Sequence, residues 1–218
     1  MKRIQKWMMA AAALFMVAGS LPAQAQDLKE FFSNDQTPLV YLGVDFTRTK
    51  VINDYSASAA DIKERHMHSI NQLVINETKN YNLTEAFNKN NISADLSAVE
   101  EQNGKIKESD ITSSDPAEYQ KLTENDISAM VKKLGHINGS GIGLIFIMDG
   151  MRKNDKKGEG TVWVTLIDIK SRKVLMAERM EEDAAGFGFR NFWASVIKRA
   201  IQDINKKKYK EWKKKYGN

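Results

Sequence analysis

Two aspartates, three histidines, two glycine clusters and two lysine-rich stretches are the parts of this chain whose types and spacing could do chemistry. Asp45 sits near the exit of an apolar run over 39–46, and Asp149 directly follows another over 142–148. Both runs read as buried strands. Carboxylates at the ends of adjacent parallel strands lie where open α/β sheets place ligands, and there they could hold a divalent cation or divide acid and base roles. An aspartate leaving a strand also initiates a turn with its own side chain, and that plainer role is the expected one for both. His66 and His68 are two positions apart on a helical pattern, whereas chelation from one helix face takes a spacing of three or four. His136 follows Gly135 and belongs to a helix-ending loop or to the negative end of the helix dipole. No cofactor is expected, and no metal beyond the two aspartates as candidates.

The glycine cluster Gly139-Ser140-Gly141-Ile142-Gly143 comes after a helix and before a strand. Backbone amides meet a phosphate in the opposite order, from strand to helix N-terminus. Gly186-Phe187-Gly188-Phe189 has the right order, but Glu181, Glu182 and Asp183 stand immediately before it and repel an anion. Those glycines are expected to relieve a tight entry into the last helix. The basic stretches are the better candidates for binding. One is the hairpin loop from Arg152 to Gly160, with Arg152, Lys153, Lys156 and Lys157. The other is carboxy-terminal, where Lys206, Lys207, Lys208, Lys210, Lys213, Lys214 and Lys215 interleave with Tyr209, Trp212 and Tyr216. Lysine mixed with aromatics suits an anionic partner: acidic lipid head groups, an acidic envelope polymer or, least expected, nucleic acid. The plain alternative is a solvated helix end or a frayed tail.

The elements that must position these residues read as one α/β domain. The run over 142–148 is apolar without alternation, which a strand sustains only when both faces are covered, so this strand is central. The run over 162–169 behaves likewise, whereas 174–180 admits Glu178 and Arg179 and lies nearer an edge. Lys170 to Lys173 join these two as a hairpin. A closing helix from about Arg190 carries Phe192, Trp193, Val196, Ile197, Ala200, Ile201 and Ile204 on one side. Upstream, Ser58 with Asp61 starts a helix over 59–79, and Thr123 with Asp126 starts another that Gly135 ends. Leu28, Phe31 and Phe32 form an apolar knot in the segment before the first strand. The stretch 94–99 reads as a weak strand and 100–116 as an exposed excursion without an assigned conformation. The fold class is therefore α/β: a single domain with a mixed, mostly buried sheet of about five strands and helices on both faces. It ends in a three-strand antiparallel meander and a long helix.

At 218 residues, with 42% hydrophobic and 28% charged residues, the chain suits one globular core rather than two. Lys2, Arg3 and Lys6 precede an apolar run from Trp7 to Ala18 and the small-x-small triplet Ala23-Gln24-Ala25. That is a signal peptide over 1–25, cleaved after Ala25, and its run is too short to span a bilayer. The chain has no cysteine, which excludes a lipid-bearing one and any disulfide. Of the formal charge of +5, the leader supplies three basic residues. From Lys198 onward nine basic residues face two acidic ones, so the body over 26–197 is acidic and its end basic. The expected division is a domain over 26–205 and a basic aromatic tail over 206–218.

The central strand and long hairpin are followed by Leu166-Ile167-Asp168-Ile169-Lys170-Ser171-Arg172-Lys173-Val174-Leu175 and by Gly186-Phe187-Gly188 before a helix. Together they resemble a group of bacterial envelope proteins. It comprises the curli-secretion lipoprotein, the lipoprotein activators of penicillin-binding proteins, and the amino-terminal domain of the Tol-Pal propeller protein. The likeness covers about the last third of the chain and the first strand. Ser171-Arg172 stands where that group has Thr-Gly, and the lipid-bearing cysteine is missing, so pore formation and membrane tethering do not carry over. What the resemblance implies is an exported, non-catalytic envelope domain, periplasmic or secreted, that works by touching an envelope protein or anionic polymer. Two rival expectations stand beside it: a hydrolase or metal-dependent enzyme using Asp45 and Asp149, and a binder of anionic lipid, polymer or nucleic acid through the tail, with peripheral membrane contact.

Overall fold

A computed structural model describes residues 23–154 and 157–217, the first four of them by backbone alone. The signal-peptide expectation, up to residue 22, and Lys156 lie outside the described residues. In chain order come α1 (Ala23–Ser33), β1 (Leu39–Asp45), β2 (Val51–Ile52), α2 (59–76), α3 (Leu83–Phe87), β3 (Ile92–Ala94) and α4 (Ser97–Gly104). Then follow β4 (Thr112–Ser113), α5 (Glu124–Lys132), β5 (Ile142–Asn154), β6 (Lys157–Asp168), β7 (Lys173–Ala184) and α6 (189–216).

β5 is the axis of the sheet, and its first ten residues are all buried. Leu144, Phe146 and Met148 enter one apolar core, while Ile145 and Ile147 enter a second on the opposite face. Two covered faces are what an unbroken apolar run requires. On one side β5 pairs antiparallel with β6 along its length, and β6 pairs with β7, completing the meander. On the other side two shorter strands divide it: β1 runs parallel to its first half, and β2 pairs with Met151 and Arg152. Each has an outer parallel neighbour, β3 beside β1 and β4 beside β2. A mixed sheet of five strands, β3-β1-β5-β6-β7, thus lies at one level, with β4-β2 replacing β3-β1 farther along. Helices α1, α2, α3 and α6 cover one face, and α4 and α5 the other. Among the described residues no helix is long and apolar enough to cross a membrane.

Local chemistry sets the boundaries. Ser58 Oγ accepts from the Asp61 amide at 3.1 Å to start α2, and Thr123 and Asp126 form a reciprocal capping box at α5. Helices α2 and α6 each contain one π turn, at Ile62–His66 and Ile204–Lys208. These turns have a visible cause. Ile62 and Met67, and again Ile204 and Tyr209, are buried pairs five residues apart, and a five-residue turn keeps both members on the covered side.

Four expectations need correction. The weak strand stops at Ala94, because the Asp95 carboxylate accepts from the Ser97 amide and hydroxyl at 3.1 and 2.6 Å and turns the chain into α4. The stretch 100–116 is not wholly an exposed excursion: Asn103, Ile106 and Ile111 are buried and β4 extends the sheet. Gly135 does not cap α5, which ends at Lys133 in the right-handed region. The boundary drawn at 205/206 falls within α6, which is helical through Tyr216.

One arrangement was invisible in the sequence. Past Tyr41, β1 outruns β3 and bulges at Gly43, whose φ of 109° suits glycine. Two buried asparagines replace the missing strand. Asn71 Oδ1 accepts from the Val44 amide at 2.6 Å, Asn103 Oδ1 accepts from the Phe46 amide at 2.8 Å, and Asn103 Nδ2 donates to the Val44 carbonyl at 2.9 Å. Buried backbone groups without such partners would each cost about 1–3 kcal/mol.

Candidate functional site

Asp45 and Asp149 do lie on neighbouring parallel strands, but Asp149 is not at a strand end, because β5 bulges there and continues to Asn154. Each carboxylate is used locally. Asp45 accepts from the Thr47 amide and hydroxyl at 2.7 and 2.6 Å. Asp149 accepts from the Leu122 amide at 3.0 Å and from Trp163 Nε1 at 3.2 Å. Burial pushes both pKa values up, and these local donors pull the other way. Among the described residues no three His, Cys, Asp or Glu are grouped to hold a metal. His66 rests against the Phe189 ring at 5.0 Å, His68 Nδ1 lies 2.9 Å from Glu100 Oε1, and His136 is exposed. Gly186 and Gly188 have φ of 137° and 75°, and between them Phe187 stands 93% exposed before α6.

The hairpin contributes less than its charges suggested. Arg152 pairs with Glu159 at 2.5 Å and lies over the Tyr119 ring at 4.3 Å. Lys153 pairs with Asp54 at 3.1 Å and lies over Phe192 at 5.3 Å. Both side chains are thus half-buried and engaged in internal contacts, whereas Lys157 is exposed.

The carboxy-terminal stretch is an ordered surface, not a tail. Trp212 is 1% exposed, stacks near Phe87 at 6.4 Å and donates from Nε1 to Glu178 Oε2 at 2.6 Å. Lys208 Nζ donates to the other oxygen of Glu178 at 2.6 Å, and that bond raises the Lys208 pKa. Trp212 is buried and so is corrected from partner-binding, and together with the half-buried Lys208 it fastens α6 to β7. On the same side Tyr209 and Tyr216 lie 5.6 and 6.0 Å from Phe32 of α1. Helix α1 is itself closed by Lys89, a buried lysine whose Nζ donates to the carbonyls of Phe31 and, at 2.7 Å, Asn34. With that side covered, Lys206, Lys207, Lys210, Lys213, Lys214 and Lys215 are left on the solvent side. Over residues 206–216 seven lysines face one glutamate, Glu211, which lies 3.6 Å from Lys207 and Lys208. The negative end of the helix dipole favours cations in this turn. What results is an anchored helix whose exposed side is rich in lysine and whose aromatic residues are turned inward.

Beside the start of that row, Glu182 shares a hollow with Asp203, Arg199 and Lys206. Burial first, and then the Asp203 charge, push its pKa up from 4.5 to about 7. A carboxyl raised in the folded state contributes fully below its unfolded pKa, and that contribution is lost as pH rises through the folded value. The window is therefore pH 4.5 to about 7. Glu182→Gln is expected to leave urea stability at pH 4 unchanged and to raise it at pH 8 by about 1 kcal/mol, the shift being discounted for partial exposure. An equal gain at both pH values would exclude this titration.

No family profile and no curated protein matches the chain. Several solved structures resemble it at low TM-scores. A hypothetical protein from Chlamydia trachomatis is 9% identical, with 81% of this chain and 98% of that one covered at a TM-score of 0.39. A neuraminyllactose-binding hemagglutinin homologue from Helicobacter pylori is 8% identical, with 83% and 89% covered at 0.34. Lipoprotein GNA1162 from Neisseria meningitidis is 14% identical, with 77% and 96% covered at 0.31.

Proposed function

We propose that this chain is an exported, non-catalytic binding domain of the bacterial envelope that meets an anionic polymer or head-group surface through the lysine face of α6. The observation that supports this reading best is the division of that helix. Ile204, Tyr209 and Trp212 are buried while Lys206, Lys207, Lys210, Lys213 and Lys214 are exposed, so the body holds in place the helix that carries the charges. Holding them in advance lowers the ordering cost of association. Because the aromatic residues point inward, recognition is by charge and is screened by salt. The export part of the reading rests on the leader over 1–25, and the envelope part on the motifs of the last third.

The test is co-sedimentation with phosphatidylglycerol vesicles and retention on immobilised heparin, at low and at physiological salt. The wild type is expected to bind at low salt and release as salt rises. A variant with those five lysines changed to glutamine is expected to lose at least tenfold in retention while its unfolding midpoint stays unchanged. Retention that ignores both salt and the five substitutions would rule the reading out. Deleting the helix end is not an equivalent test, because it also removes Trp212 from the core.

A further inference from the structure

Among the described residues the longest open edge of the sheet is the outer side of β7. At the other edges β3 and β4 have three and two residues. β7 has twelve, and its one strand partner among the described residues is β6. The start of β7 is irregular, because its register with β6 slips between Val174 and Met176. Residues 176–184 then follow without a break, each opposite one residue of β6. As an edge strand, they turn the N–H and C=O of every second residue outward, and no other backbone segment bonds to them there. These nine residues make an open ladder about 30 Å long.

Charges on an edge keep it from pairing indiscriminately, and here they select what can pair. Arg179, Glu181 and Asp183 are exposed at alternate positions, on one face of the strand. Asp183 pairs with Arg199 at 3.7 Å. Arg179 and Glu181 have no such partner: Arg179 lies over the Trp163 ring at 5.7 Å, and Glu181 accepts from Gln120 Nε2 at 2.6 Å. The midpoint of 176–184 is Met180. An antiparallel second copy centred there sets Arg179 of each chain opposite Glu181 of the other, and Asp183 opposite Ala177. A parallel copy in register would set Arg179 against Arg179 and Glu181 against Glu181. On the other face Glu178 comes opposite Glu182, but Glu178 already holds Lys208 and Trp212, and Glu182 stands beside Arg199 and Lys206.

We infer that two copies of this chain pair antiparallel along β7, centred on Met180, as one continuous sheet joined by about eight backbone hydrogen bonds and two Arg179–Glu181 ion pairs. The pairing needs no anionic ligand, so it stands or falls separately from the lysine face. The experiment is sedimentation equilibrium of the mature chain from micromolar to millimolar concentration, for the wild type, Arg179→Glu, Glu181→Arg and the double variant. Both side chains are exposed, so all four proteins are expected to unfold at nearly the same urea concentration. The wild-type mass is expected to rise toward twice that of one chain. Each single reversal sets like charges opposite each other at two places and is expected to weaken association about tenfold, whereas the double variant restores both pairs and the wild-type constant. Amide exchange within 176–184 is expected to slow with concentration in the wild type and the double variant. A wild type that stays monomeric throughout overturns the inference. So does a dimer that ignores the single reversals, or one that the double variant does not restore, because another surface or register then holds it.

Discussion

Asp54→Ala is expected to destabilise the protein by about 3–5 kcal/mol, the loss found when one member of a buried charge pair is removed and the rest left behind. Asp54 is 2% exposed and joins three elements. One oxygen accepts from the Ser56 amide and hydroxyl at 3.1 and 2.7 Å and from Lys153 Nζ on β5 at 3.1 Å. The other accepts from Trp193 Nε1 on α6 at 2.9 Å. Removing the carboxylate leaves the indole N–H without its acceptor in a fully buried position. Lys153 keeps 29% of its side chain in solvent, which places the expected loss in the lower half of the range. The pH dependence has a definite sign. Burial raises the Asp54 pKa, but the bonds from Ser56, Lys153 and Trp193 outweigh it, and the net shift is downward. Its contribution is therefore present above the unfolded value, about 3.9, and is lost as pH falls through the folded one. Urea unfolding at pH 7 should show the full difference between wild type and variant, and at pH 2 a smaller one. A loss under 1 kcal/mol at pH 7 would show that the three elements are joined by packing alone.

Asp54 also shows which features the sequence could reveal. The centre of the sheet was legible because burial on both faces leaves an unbroken apolar run, as at Ile142 to Met148. The edge position of β7 was legible through Glu178 and Arg179. β2 and β4, two residues each, are too short to carry a period of two. The end of α6 was misread for a related reason: past Ile204 the buried positions step by five to Tyr209, which breaks the 3.6-residue stripe before Trp212 resumes it. Charge was the least reliable guide. The lysines of the hairpin and the helix end look alike in sequence. Lys153 is occupied because a carboxylate lies against it from 99 positions earlier, and Lys206 and Lys210 remain exposed because no element covers them. A count of basic residues contains neither fact.

Trp212→Ala separates an ordered lysine face from a loose one. The indole is fully buried among α1, α3 and β7, and truncating a buried tryptophan costs about 3–5 kcal/mol. The same change deprives Glu178 of one of its two donors and leaves Lys208 to hold that carboxylate alone. Trp212→Phe keeps most of the buried ring beside Phe87 and removes the N–H, so its extra cost should be about 1 kcal/mol, that of one hydrogen bond to a charged acceptor partly open to water. The two variants thus divide the anchor into packing and hydrogen bonding, read as changes in the urea midpoint. Under native conditions the alanine variant should also be cut by trypsin after Lys206 to Lys215 much faster than the wild type. Loss of the anchor frees the last two turns before the domain itself opens. If Trp212→Ala costs less than 1 kcal/mol and trypsin cuts both proteins equally fast, the last turns already fray in the native protein. The ammonium groups would then have no fixed spacing, and an anionic partner would meet a flexible chain instead of a preformed row.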